Sequence, residues 1–127
     1  MGPEGRVLIP AGIRRAAGME PGADTVFPLL AEAAIPSVNW SEVLQKVTQR
    51  GRDARGVGNL LLALGLEVVS FSADDAASAV ALCRQGPSLS LGDRCCLALA
   101  RRLSVPAMTG DKAWLTLRIG VDVRSIR

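Results

Sequence analysis

The chain has 127 residues, 49% of them apolar and 3% aromatic, with a formal net charge of +3. That length supports one domain around one aliphatic core, and the longest apolar run, Leu60 to Leu66, is far short of the ~20 residues that a membrane span needs. The absence of histidine excludes Ser-His and Cys-His nucleophile systems and leaves carboxylates, hydroxyls and hard cations for any catalysis.

The opening residues MGPEGRV are not an apolar segment behind a basic start, so no signal peptide is expected and a cytoplasmic location is. A first strand is predicted over Arg6–Ile9, followed by a crowd of turn formers, Pro10, Gly12, Gly18, Pro21 and Gly22. Residues 23–33 read as a helix and 34–36 as a strand. Trp40, Val43, Leu44 and Val47 then fall at i, i+3, i+4 and i+7, the spacing of an amphipathic helix. A helix over Gly56–Leu64 is stopped by Gly65, and a strand follows over Glu67–Phe71. Ser72 is a candidate N-cap for a helix over Ala73–Arg84, and Gly86 to Gly92 reads as a loop. Cys96, Leu99, Ala100 and Leu103 repeat the helical spacing. Strands are predicted over Val105–Met108 and Asp122–Ile126, with Gly120 as a turn between them. This alternation of strands and helices points to an α/β layer fold with a mainly parallel sheet.

Cys83, Cys95 and Cys96 are odd in number, lie in apolar helical text and lack a CxxC spacing. They therefore read as buried, reduced thiols rather than a disulfide or zinc framework. Among the fifteen basic residues only Lys46 and Lys112 are lysine. The rest are arginine, whose forked guanidinium suits phosphate. The densest basic stretch, Lys46 to Arg55 with Arg50 in its middle, is a candidate phosphate-facing rim, although Arg-rich usage alone would give the same composition.

Three acids each open an expected helix: Glu42 in SVNWSEVL and Asp111 in MTGDKAW follow expected strands, whereas Asp93 in LSLGDRCCLALARRL follows the Gly86 to Gly92 loop. A parallel α/β sheet gathers strand-to-helix junctions at the carboxyl ends of its strands, and a converging set of carboxylates can hold a hard cation. Each acid also has an ordinary explanation. Asn39-x-x-Glu42 and Ser90-x-x-Asp93 have the form of capping boxes, and Asp111 can be an N-cap.

Those phrases, with VPAMTGDKAW and the closing Gly-Val-Asp-Val-Arg, resemble the blocks of the bacterial VapC-type PIN domain in order and separation, over Glu20 to Arg127. The resemblance implies a three-layer α/β/α sandwich, often a homodimer, that cuts RNA with Mg²⁺ or Mn²⁺ as the toxin of a toxin-antitoxin pair. It implies Glu42, Asp93 and Asp111 as catalytic metal ligands, Thr109 as an accessory hydroxyl, and Asn39 as a polar group behind the site or facing substrate.

That family begins its acidic set with an Asp at the end of the first strand, and an ungapped alignment back from Glu20 places it on Ile9, followed by Pro10. The text there, GRVLIPAGIRRAAGMEPGADTV, resembles instead the DNA-binding half of AbrB and SpoVT-type antitoxins. Gly5, Arg6, Ile9, Pro10, Ile13, Arg14, Gly18, Pro21 and Gly22 carry that likeness, which implies DNA-phosphate contacts for Arg6, Arg14 and Arg15. The expected organisation is thus an AbrB-like segment over residues 1–22 standing in for the first PIN strand, and a PIN domain over residues 23–127. The expected function is a metal-dependent endoribonuclease weakened by the missing Asp. The alternative is a non-catalytic regulator that binds DNA or a partner of the toxin-antitoxin kind.

Overall fold

The computed structural model describes residues 6–8, 31–82, 89–109 and 121–125. Five strands, β1 (Arg6–Leu8), β2 (Ala33–Pro36), β3 (Glu67–Val69), β4 (Ala107–Thr109) and β5 (Val123–Ser125), form one sheet in the order β3-β2-β1-β4-β5. Every pairing is parallel. Four helices accompany them among the described residues: α1 (Ser37–Gln49), α2 (Ala54–Ala63), α3 (Ala73–Ala81) and α4 (Leu91–Leu103).

A parallel sheet must be covered on both faces, and strand β2, buried at all four residues, shows how. Successive side chains point to opposite faces. Ala34 joins Val7 and Ala107 in a core with Ala79 and Leu82 from α3 and its end, and with Cys96 to Ala100 of α4. Ala33 and Ile35 join Val43 and Val47 of α1, Leu61 of α2 and Leu66. The result is the three-layer α/β/α sandwich. Burying a leucine such as Leu97 or Leu99 contributes about 1.5–3 kcal/mol, so the α4 core is a large share of what holds the layers together.

The helix ends follow local chemistry. Asp53 caps α2 by accepting from the Arg55 amide at 3.2 Å. Ser72 and Ser90 each form a complete capping box, with Asp75 and Asp93 respectively. Gly51 and Gly65, at φ +74° and +111°, turn the chain after α1 and α2 where a side chain would be strained. Gly58 lets α2 approach α1 closely, since a Cβ there would lie 3.2 Å from the Trp40 ring.

Several sequence expectations shift. Ala31 and Glu32 form a turn and Ala33 opens β2, so the helix expected over residues 23–33 does not reach its predicted end. The remainder of that segment, with Ile9, Arg84, Gly86 and Gly120, lies outside the described residues. β3 stops at Val69, and the Phe71 amide donates instead to the Ser37 hydroxyl at 3.2 Å. β4 starts later than expected because the Val105 amide still donates to Ala100 of the helix end, at 3.1 Å. Cys95 and Cys96 are buried, as expected, and Cys83 is outside the described residues.

Candidate functional site

β1 leads outward to β2 on one side of the sheet and β4 leads to β5 on the other, so the strand order reverses between β1 and β4. The crevice beyond the carboxyl ends at such a reversal is where α/β sheets bind ligands. α4 packs across β1, β2 and β4, and α1 packs on β2 and touches α4.

Helix α1 follows β2 with no intervening loop. Pro36 is its N-cap residue, with φ −64° and ψ 148°, and no side chain caps the helix. Proline needs no amide partner and holds that φ, so the strand runs straight into the helix. This corrects one reading: Asn39 is not an N-cap, Glu42 is not a first-turn acid, and no Asn39–Glu42 capping box exists. Asn39 is fully buried instead, and its Nδ2 donates to the Gly92 carbonyl at 2.9 Å.

Because α1 begins where β2 ends, that bond brings the start of α4 to the carboxyl end of the sheet. A Cβ on Gly92 would lie 3.4 and 3.5 Å from the two Glu42 carboxylate oxygens. Asp93 is the next residue. Its carboxylate accepts from the Ser90 amide through Oδ2 at 3.1 Å, which leaves Oδ1 for another partner. Glu42 and Asp93 thus share one corner. Both also raise the neighbouring Cys96: burial first, then the charges of Asp93, Cys95 and Glu42, push that thiol well above its ordinary range. The Cys95 thiol is raised by burial, with Arg94 opposing and Glu42 and Asp75 adding. Neither thiol is poised as a nucleophile.

The other predicted site residues divide by position. Thr109 ends β4 at the same end of the sheet, paired with Ser125. Asp111, Arg14 and Arg15 lie outside the described residues. Arg6 begins β1 and so stands at the amino end, away from the acids. Lys46 lies one turn beyond Glu42 on the same face of α1, and Arg50, the C-cap residue, follows another turn on. Gly92 was not singled out from the sequence, although a glycine beside a helix start is a sign of close approach.

The donor chemistry suits a hard divalent cation, which takes carboxylate and amide oxygens. Asn39, whose Nδ2 lies beside Gly92, has its Oδ1 atom buried and without a hydrogen-bond partner among the described residues. Among those residues no three acids or cysteines cluster tightly enough to hold a metal by themselves. The concavity of about 400 Å³ lined by Arg101, Ser104, Pro106 and Arg124 belongs to the far end of α4, roughly 15 Å from Asp93 at 1.5 Å per helical residue. It is no part of this corner.

The PIN-domain family model matches residues 14–119. The chain belongs to the PIN-domain family. Its fold is shared with a chain of a toxin-antitoxin complex from Klebsiella pneumoniae at a TM-score of 0.76 and 18% identity, covering 96% of this chain and 98% of that one. It is shared also with a chain of VapBC2 from Rickettsia felis bound to a DNA fragment from their promoter, at a TM-score of 0.69 and 15% identity, covering 94% and 97%. At these identities the likeness is one of fold. No curated protein sequence matches the chain. Among the described residues of this PIN protein no helix is long and apolar enough to cross a membrane.

Proposed function

We propose that this PIN-domain protein is a VapC-like endoribonuclease, the toxin of a toxin-antitoxin pair, weakened by the absence of a first-strand Asp. The observation that supports the reading is the Glu42 carboxylate lying against Gly92, the residue before Asp93, at the carboxyl end of the sheet. Asp111 is the third proposed ligand, with Thr109 as an accessory hydroxyl. Ile9, the residue after β1, supplies no fourth carboxylate.

Glu42, Asp93 and Asp111 would hold Mg²⁺ or Mn²⁺, which when bound lowers the pKa of water and stabilises charge on a phosphodiester. The site carboxylates take up the proton of the attacking water. Lys46 and Arg50, one and two turns along α1 from Glu42, draw the RNA backbone toward the corner. Three carboxylates carry less negative charge than four, which weakens cation binding and accounts for attenuation. The proposed partners are RNA as substrate, an antitoxin chain and a second copy of the protein. Purified protein is expected to cleave RNA with Mn²⁺ and to stop with EDTA. Failure across a range of RNAs and divalent cations would overturn the nuclease reading while leaving the family intact.

Ile9 and the GRVLIP phrase favour a second reading, a non-catalytic regulator whose AbrB-like residues 1–22 bind DNA through Arg6, Arg14 and Arg15. Val7, wholly buried in the centre of the sheet, ties that segment into the PIN fold, so any DNA-binding role falls to the residues around it. A gel-shift on the protein's own promoter decides. Salt-sensitive binding supports this reading, and its absence removes it.

A further inference from the structure

Asn39 and Asp75 are the buried polar side chains among the described residues, and only Asp75 is answered by an ion pair. Asn39 is fully buried near the start of α1, where it meets the start of α4. Its Nδ2 is committed to the Gly92 carbonyl at 2.9 Å, across 53 residues of sequence. That commitment fixes Oδ1 as an acceptor, and it is buried and unbonded among the described residues. A core amide half-satisfied in this way is costly unless the site uses it.

The other side of the contact is equally specific. Gly92 sits in the first turn of α4, where alanine is the better helix former. A Cβ there would lie 3.3 Å from Asn39 Nδ2 and 3.4 and 3.5 Å from the Glu42 oxygens. The glycine therefore removes the one atom that would hold the two helix starts apart. Asp93 follows directly and is fastened to the same helix start through Ser90, at 3.1 Å in both directions. Any shift of Gly92 relative to Asn39 changes the separation of Asp93 from Glu42.

We propose that Asn39 and Gly92 form a latch that sets the spacing of Glu42 and Asp93, making Asn39 a positioning residue for a divalent cation held by those carboxylates. The latch rests on the proposed cation site and adds to it a reason for its geometry.

The test is Mn²⁺ binding by the purified full chain, followed by the loss of the free-ion electron paramagnetic resonance signal, with urea unfolding of the same metal-free samples. Asn39→Ala is expected to weaken Mn²⁺ binding about 10–100-fold, the scale for a group that orients a ligand without touching the metal. Gly92→Ala gains helix propensity but must displace Asn39 by a few tenths of an ångström, so its urea midpoint is expected to change little while Mn²⁺ binding still weakens. That divergence of stability and affinity is what a merely structural glycine would not give. Wild-type affinity in both variants overturns the latch alone, as does a Gly92→Ala protein that loses stability and affinity together. Wild-type protein that takes up no Mn²⁺ overturns the cation site and the latch with it. If Asn39→Ala does not fold, Gly92→Ala decides by itself.

Discussion

Helices α3 and α4 open on the same pattern, Ser72-x-x-Asp75 and Ser90-x-x-Asp93, and in both the serine and the acid exchange backbone hydrogen bonds at 3.0 or 3.1 Å. Beyond those bonds the two acids differ. Asp75 is 2% exposed and receives a forked contact from Arg102 of α4, Nε to Oδ1 at 2.7 Å and the second nitrogen to Oδ2 at 3.2 Å. Asp93 is only half-buried, no guanidinium of the described residues meets it, and it shares its corner with Glu42. A capping box thus says where a helix starts and nothing about what its acid is for. What separates the two among the described residues is Arg102, which gives Asp75 a counter-charge within the fold.

The sharpest way to break the comparison is the same substitution at both acids. Asp93→Asn is expected to lower RNA cleavage by about a hundredfold or more, the scale of a positioned proton acceptor. Its urea midpoint should hardly move, since an amide oxygen still accepts from the Ser90 amide. Asp75→Asn should do the reverse, costing about 2–3 kcal/mol in urea unfolding because Arg102 loses a charged partner. The figure stays below that for a fully buried pair because Arg102 is 44% exposed. Cleavage per folded molecule should be unchanged. Similar effects of both changes on both properties would erase the distinction.

A smaller effect is expected in acid. Burial pushes the Asp75 carboxyl up, but the Ser72 amide, the Arg102 guanidinium and the Ser72 hydroxyl outweigh it and hold the carboxyl below its ordinary 3.8. The folded state therefore binds this proton less readily than the unfolded chain does. The stability this gives is present above about pH 3.8 and is lost as pH falls through the lowered folded value. Urea unfolding of wild type and Asp75→Asn across pH should show their gap narrowing below that point, and a constant gap would exclude Asp75 as its source. Smallest of all, Ser72→Ala and Ser90→Ala should each cost about 1 kcal/mol, the usual worth of a cap. If the Ser90 change also lowers Mn²⁺ affinity and the Ser72 change does not, the contrast between the two corners is sharpened.

Local patterns made the serine caps legible in advance, together with the amphipathic spacing of α1 and α4 and the α/β alternation. They depend on neighbours a few residues apart. The start of α1 was misread for the same reason: Asn39-x-x-Glu42 has the local form of a cap, but Pro36 carries the strand into the helix and frees Asn39 for a partner 53 residues away. No sequence spacing announces such a contact, nor that of Arg102 with Asp75, 27 residues apart. Glu42 and Asp93 could be named as candidates from their surrounding phrases. That Glu42 lies against the glycine before Asp93 required the packing of two helix starts against each other.

The place of β1 bears on how the molecule is made. Arg6–Leu8 lies between β2 and β4, so its two neighbours come from residues 33–36 and 107–109. During synthesis at ~5–20 residues per second, the second neighbour follows the first strand by on the order of ten seconds. Until it arrives, the strand destined for the middle of the sheet has one side of its backbone open to pairing with any extended chain. Incomplete copies of this protein are therefore the species most exposed to aggregation, and chaperone protection matters most before residue 107 leaves the ribosome.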